Sequence, residues 1–195
     1  IPFMQVCNRK NLNTWQKRKL GDLSDIVRGA SPRPIKDSKW FSNDSNIGWL
    51  RISDVSKQKG RIYSLEEHLS TAGQEKTRVL TSPHLLLSIA ATVGKPVINY
   101  VPTGVHDGFL IFQNPKFNLN FVFYWLLEFQ SSWKRYGQPG SQINLNSDLV
   151  KEQQINMPTK LEQETISNLF VKVDNLIAVN QRKVDLLKEV KKTLL

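Results

Sequence analysis

Residues 159–195, TKLEQETISNLFVKVDNLIAVNQRKVDLLKEVKKTLL, decide how the rest of the chain is read. The stretch contains neither Gly nor Pro, the two residues least favourable inside a helix. Pro158 stands directly before it. Thr159 and Glu162 have capping-box spacing: the hydroxyl accepts from the amide three residues on, and the carboxylate reaches back. Ile166, Phe170, Val173, Ile177, Asn180, Val184, Leu187, Lys191 and Leu194 recur at alternating steps of four and three. That repeat marks a coiled-coil seam. The reading is one helix of roughly 55 Å, longer than a small body can cover and so paired with another helix. Docking of the helix on its own domain is the alternative. Asn180 lies midway between Ile166 and Leu194. In an antiparallel pair two Asn180 amides meet near the axis, weakening the seam but fixing its register. A parallel pair also matches Asn180 to itself, but it puts both bodies at one end.

The region before Pro158 differs in kind. Residues 1–158 hold all nine Pro and all five Trp. Strand-like runs alternate with turns at Gly48–Val55, Arg61–Leu65, Leu85–Thr92, Val97–Val101, Phe109–Phe112 and Gln154–Met157. One helix is expected from about Asn120 to Arg135, its apolar residues dense enough to be buried on most sides. Asn118 or Asn120 caps it; Gly137 and Pro139 end it. The fold class is therefore α+β: a mixed α/β globular domain over residues 1–158, followed by a long C-terminal coiled-coil helix over 159–195.

The chain carries 27 Lys/Arg against 17 Asp/Glu, net +10, which points to a polyanionic partner. The excess is uneven: residues 1–61 carry 13 basic and 5 acidic side chains, and residues 62–158 carry 7 of each. A scattered, solvated surface is the blander explanation. Cys7 is the only cysteine, which excludes an internal disulfide and a cysteine-based zinc site and suits a cytoplasmic protein. The longest apolar run, Leu119–Phe129, is too short for a membrane span and contains Glu128.

Several segments imitate catalytic motifs and lack a necessary part. Asn114-Pro115-Lys116-Phe117 lacks the second proline of the amino-methyltransferase motif and suits a strand-to-helix turn. Gly94-Lys95-Pro96 has no glycine five residues earlier, and Pro96 replaces the metal-binding hydroxyl of a phosphate loop. Glu189-Val190-Lys191 has nuclease spacing but falls in the long helix. His68, His84 and His106 show no metal-ligand spacing; His106-Asp107, between two glycines, suits a turn. Gly140-Ser141-Gln142 lacks the second glycine of a nucleophile elbow. No catalytic or metal-binding residue is assigned, and the expectation is a binding module.

Two segments have the chemistry to read DNA. The first is a basic, proline-stiffened loop with Arg28, Ser31, Arg33, Lys36 and Lys39, followed by Trp40. Arginine grips phosphates or guanine edges, whereas lysine mainly supplies charge to the backbone. The second follows the dense helix and holds Arg135, Gln138, Ser141, Gln142 and Asn144. Its amides match adenine edges, and Trp133 and Tyr136 suit packing beneath it.

In order along the chain, these features resemble the specificity subunit of Type I restriction-modification enzymes. The resemblance is carried by Trp15 with Lys19-Leu20-Gly21-Asp22-Leu23, then Gly29-Ala30-Ser31-Pro32 and Trp49-Leu50-Arg51-Ile52-Ser53-Asp54-Val55. Leu85-Leu86-Leu87-Ser88, Thr92-Val93-Gly94-Lys95 and Gly108-Phe109 follow. Gly140-Ser141-Gln142-Ile143-Asn144-Leu145 and Pro158 with Leu161-Glu162-Gln163 close the set. Asp107 departs from the amide that many relatives carry, so it is given no base contact. The resemblance implies a target recognition domain that reads one part of a bipartite site on double-stranded DNA, and a helix that pairs antiparallel as a spacer. The pairing partner is a second copy or the second half of a longer subunit, and the segment before Trp15 resembles a linker into another recognition domain. It further implies a methyltransferase subunit and a restriction/translocase subunit as partners. S-adenosylmethionine, ATP and Mg belong to those partners, and none is expected on this chain.

Two other readings compete. A degenerate nuclease or methyltransferase fragment predicts turnover by the isolated chain. A coiled-coil interaction protein that meets RNA or acidic proteins predicts no preference for a defined duplex.

Overall fold

The computed structural model describes residues 15–90, 93–136 and 145–194. Strand β1 (Gln16–Lys19) leads into the short helix α1 (Leu20–Leu23) and strand β2 (Asp25–Arg28). Strand β3 (Gly48–Leu50), helix α2 (Ile52–Lys57), strand β4 (Arg61–Ile62), helix α3 (Thr71–Glu75) and strand β5 (Arg78–Leu80) follow. Then come β6 (Leu85–Ser88), β7 (Pro96–Asn99), β8 (Thr103–Val105) and β9 (Phe109–Gln113). Helix α4 (Leu119–Phe129), helix α5 (Ser147–Glu152), strand β10 (Gln154–Met157) and the 35-residue helix α6 (Lys160–Leu194) complete the order.

The described strands form a five-stranded sheet ordered β2-β9-β6-β7-β4, a three-stranded sheet β3-β8-β5, and a β1-β10 ribbon. The sequence explains the first. Side chains alternate across a strand, so a strand buried on both faces must be apolar at consecutive positions. Leu85, Leu87, Ile98, Leu110 and Phe112 turn to one face and pack with α4. Leu86, Val97, Phe109 and Ile111 turn to the other and pack with Leu50, Val55, Ile62, Leu80 and Val105. The ribbon pairs Gln16 with Met157 and Lys19 with Gln154, so the chain enters and leaves the body side by side.

Helix α4 is buried at every residue from Phe121 to Leu126, as its density predicts. The Asn118 carboxamide caps it, accepting from the Phe121 amide at 3.1 Å. The expected helix to Arg135 tightens into a 3-10 turn over Gln130–Tyr136.

Several expected strands are shorter than their apolar runs. Gly48–Val55 stops as a strand at Leu50, because Asp54 accepts from the Arg51 amide at 3.0 Å and starts α2. Arg61–Leu65 stops at Ile62, because the Gln58 side-chain oxygen takes the Tyr63 amide at 2.8 Å. Leu85–Thr92 pairs only to Ser88, and Thr92 lies outside the described residues. Val97–Val101 pairs over Pro96–Asn99. There the buried Asn99 amide donates to Ser82 O and Val101 O, both at 3.1 Å, and bends the chain.

Helix α6 begins with the expected box: the Thr159 amide donates to Glu162 at 2.9 Å and the Glu162 amide to Thr159 Oγ1 at 3.3 Å. Its seam divides. Ile166, Phe170 and Val171 are half-buried against the body, so Ile166 and Phe170 pack on their own domain, as the docking alternative had it, rather than lying open to a second helix. Beyond them Val173, Ile177, Asn180, Val184 and Leu187 are exposed, and Leu169, Leu176 and Val190 are exposed with them. A polar hub marks the change. Arg61 donates to Tyr100 at 2.9 Å, Asn120 at 2.7 Å and Tyr124 at 2.9 Å. The Tyr124 hydroxyl donates to Asp174 of α6 at 2.5 Å. Burial and the Asp174 hydrogen bond push the Tyr124 hydroxyl well above its ordinary pKa, and it stays protonated as that donor.

Candidate nucleic-acid interface

Strand β2 ends at Arg28, paired with Leu110 of β9. The chain then runs tightly against the turn between β8 and β9. Gly29 N donates to Phe109 O at 2.9 Å and Ala30 N to Val105 O at 3.0 Å. A Cβ on Gly29 would lie 2.2 Å from the His106 carbonyl oxygen, so only glycine permits this approach. The basic loop is thereby pinned to the His106-Asp107-Gly108 turn.

Three candidate side chains converge on Asp107. The Arg28 Nε donates to its carbonyl at 2.6 Å. Ser31 Oγ donates to one carboxylate oxygen at 2.9 Å and accepts from the Asp107 amide at 3.1 Å. Arg33 pairs with the other oxygen at 2.7 Å. Burial would raise the Asp107 pKa, but the Ser31 hydrogen bond and the positive charges around it hold the carboxyl below its ordinary value. His106 Nδ1 accepts from the Gly108 amide at 2.8 Å. It also lies 3.1 Å from Asp107, but a nitrogen that accepts carries no proton, so this is no ion pair. Burial lowers the His106 pKa and keeps the ring neutral, the Asp107 charge opposing.

The remaining loop cations differ in freedom. Lys39 pairs with Asp37 at 3.0 Å and lies 4.4 Å from the Trp40 ring centroid. That hydrogen bond holds Asp37 below the usual carboxylate range. Lys36 is exposed and lines an open cleft of about 740 Å³ with Ile35, Phe41, Trp49, Arg51 and His106. Arg51 lies 3.6 Å from each of Asp54, Glu66 and Glu67, so its charge is offset within the cleft wall.

Of the second candidate segment, Gln138, Ser141, Gln142 and Asn144 lie outside the described residues. Arg135 is described. Its Nε donates to Ser132 O at 3.0 Å, and its guanidinium covers the Phe129 and Tyr136 rings at 5.0 and 5.7 Å. Trp133 is buried as expected and Tyr136 is partly exposed. The chain between β6 and β7 touches the Asp107 turn and Trp133: Ile89 N donates to Gly108 O at 2.8 Å on one side. On the other, Gly94 packs so closely on Trp133 that a Cβ would sit 2.2 Å from its ring. The ends of β2 and β6 and the starts of β7 and β9 thus gather the basic loop, the Asp107 turn and the approach to the second segment at one end of the sheet. Sequence reading placed the cations but gave Asp107 no part, and no local pattern announces the Arg61 hub, whose partners lie 39 to 63 residues away.

A family model described as the Type I restriction modification DNA specificity domain matches residues 13–189. The chain belongs to that family. The fold of this specificity domain agrees with solved relatives. The HsdS subunit from Thermoanaerobacter tengcongensis superposes with a TM-score of 0.69 at 16% identity, covering 93% of this chain and 43% of that one. The Type I restriction-modification S subunit from M. genitalium gives 0.61 at 16% identity, covering 89% and 42%. A chain from a structure of Type I system assembly and conformational transition gives 0.70 at 16% identity, covering 87% and 40%. The specificity domain spans less than half the length of each. Among the described residues, no group of three or more His, Cys, Asp or Glu could hold a metal ion. No described helix is long and apolar enough to cross a membrane.

Proposed function

We propose that this specificity domain reads one part of a bipartite site on double-stranded DNA in the cytoplasm and catalyses nothing itself. The basic loop 28–39 and the segment after Trp133 face the duplex. The exposed length of α6 pairs antiparallel with the same helix of a second copy, or with its counterpart in the second half of a longer subunit. A methyltransferase subunit and a restriction/translocase subunit dock on the resulting frame and bring S-adenosylmethionine, ATP and Mg. The observation that carries this reading is the gathering of the basic loop, the Asp107 turn and the approach to the second segment at one end of the sheet, in a chain of this family.

The experiment is selection of duplexes from a randomised pool by the purified chain. A recovered consensus supports the reading; recovery of random sequence, or of none, sinks it. Replacing Arg28, Arg33, Lys36 and Lys39 by Ala then weakens binding and flattens its salt dependence, each lost phosphate contact removing about 0.9 from the slope. Arg33 and Lys39 already have acidic partners, so Lys36 accounts for a disproportionate share. Cysteines at Val173 and Leu187, with Cys7 replaced by Ser, report the helix pairing. Bonds from 173 to 187 support the antiparallel pair, and bonds from 173 to 173 sink it.

A further inference from the structure

Asp107 stands in a place where a carboxylate is costly to a DNA-binding surface, because it repels phosphate. It is nevertheless built in. Its side chain is only 24% exposed. Both carboxylate oxygens, its amide and its carbonyl are each engaged by Ser31, Arg33 or Arg28. The backbone on either side is fixed by the Gly108-to-His106 hydrogen bond and by the Ala30-to-Val105 bond. Arg28 is fastened a second time, its carbonyl accepting from Arg78 Nε at 2.8 Å. The three side chains with the best chemistry for base edges in this loop are therefore held by one residue, Ser31 and Arg33 by its carboxylate and Arg28 by its backbone carbonyl. Arg33, 72% exposed, is the partner most able to exchange that anion for a phosphate.

We infer that Asp107 is a positioning residue for sequence discrimination. It holds Arg28, Ser31 and Arg33 in one arrangement, and its charge lowers the attraction of the loop for phosphate in general. Freed of the Asp107 carboxylate, Arg33 reaches any backbone. With that carboxylate in place, the three side chains bind well only where a duplex offers partners at their fixed positions, which compensates the repulsion. Discrimination is a difference between two affinities, and Asp107 acts by weakening the unwanted one. The inference rests on the DNA reading above.

The test compares the wild-type chain with Asp107→Asn, which keeps the shape and removes the charge, and with Asp107→Glu, which keeps the charge. Binding is measured to the duplex selected from the randomised pool and to a scrambled duplex, over a range of salt. Asp107→Asn is expected to bind the scrambled duplex several-fold more tightly. Its salt slope should steepen by about 1, as one more phosphate contact requires, and discrimination should fall at least tenfold. Asp107→Glu keeps scrambled binding near wild type. Unchanged discrimination and slope in Asp107→Asn overturn the inference. A parallel loss on both duplexes with a lowered melting temperature also overturns it, since that is the behaviour of a scaffold residue. Amide exchange in the free chain separates the two levels. Asp107→Asn should speed exchange at residues 29–31, 33 and 107, and unchanged exchange removes the clamp whether or not DNA binds. A wild-type chain that selects no duplex removes the DNA reading, and the inference with it.

Discussion

Phe170 and Leu187 stand on the same helix, yet Phe170 is half-buried against the body while Leu187 is 69% exposed. Nothing in the residues themselves separates them. Both occupy the 3.5-residue seam, and the apolar spacing continues through the point where the helix leaves the body. The difference lies in what stands opposite. Near the start of α6, the Tyr124 ring of α4 is 5.1 Å from the Phe170 ring. From Asn175 to Thr193 every residue of α6 is exposed, and a row of exposed leucines and valines is the kind of apolar patch that marks an interaction surface. Periodicity thus reports that a face is to be covered and is silent on which chain covers it.

The sharpest way to break the comparison is to truncate one side chain from each half. Phe170→Ala should lower the unfolding free energy of the body by about 2–3 kcal/mol, somewhat under the range for a fully buried Phe because Phe170 is only half-buried. Leu187→Ala should change it by less than about 0.5 kcal/mol in dilute chain, while weakening self-association at high concentration. Urea melts at low concentration and sedimentation at high concentration read the two effects. Equal losses in the melts would mean that the two halves are not distinct.

A smaller effect sharpens the axis of the exposed half. Asn180→Leu should raise the midpoint of helix melting in the paired state, because a polar seam residue costs stability. It should also broaden the crosslinking pattern from 173-to-187 bonds alone to several registers. A single register in the variant would show that Asn180 does not set it.

The remaining effect belongs to the half of α6 that starts against the body. Thr159→Ala should cost about 1 kcal/mol through the lost cap, with the helical signal of the exposed half unchanged. The Thr159 amide and hydroxyl hold Glu162 below its ordinary pKa. A carboxyl depressed in the folded state adds stability above its unfolded pKa and loses it as pH falls through the folded one. The cost of Thr159→Ala should therefore shrink in acid, and Glu162→Gln should remove that dependence. A cost that is flat with pH would detach Glu162 from the cap.

The sequence was informative wherever one physical cause dominated. Leu85-Leu86-Leu87 and Phe109–Phe112 read as strands because consecutive apolar residues have little other use in runs so short, and they pair with each other. Thr159 and Glu162 read as a helix start because the motif is local. Legibility failed where a polar side chain reached back to the backbone. Asp54 turned an apolar strand pattern into α2, and Gln58 ended β4 after two residues. It failed again at the site, where Arg28, Ser31 and Arg33 each read separately as a ligand for DNA. Their common partner is 74 to 79 residues away, a distance over which spacing carries no information.

The Arg61–Tyr124–Asp174 hub also has a mechanical meaning. Between Asp174 and Leu194 the helix projects about 30 Å, so the hub is the fulcrum of a lever. A tilt of about 6° there sweeps the tip through about 3 Å, close to the 3.4 Å rise of one base-pair step. Only the Tyr124–Asp174 hydrogen bond of the hub reaches α6. Under the proposed function, the stiffness of that link, with the packing of Ile166, Phe170 and Val171 behind it, therefore sets the tolerance, in base pairs, of the spacing between two such bodies.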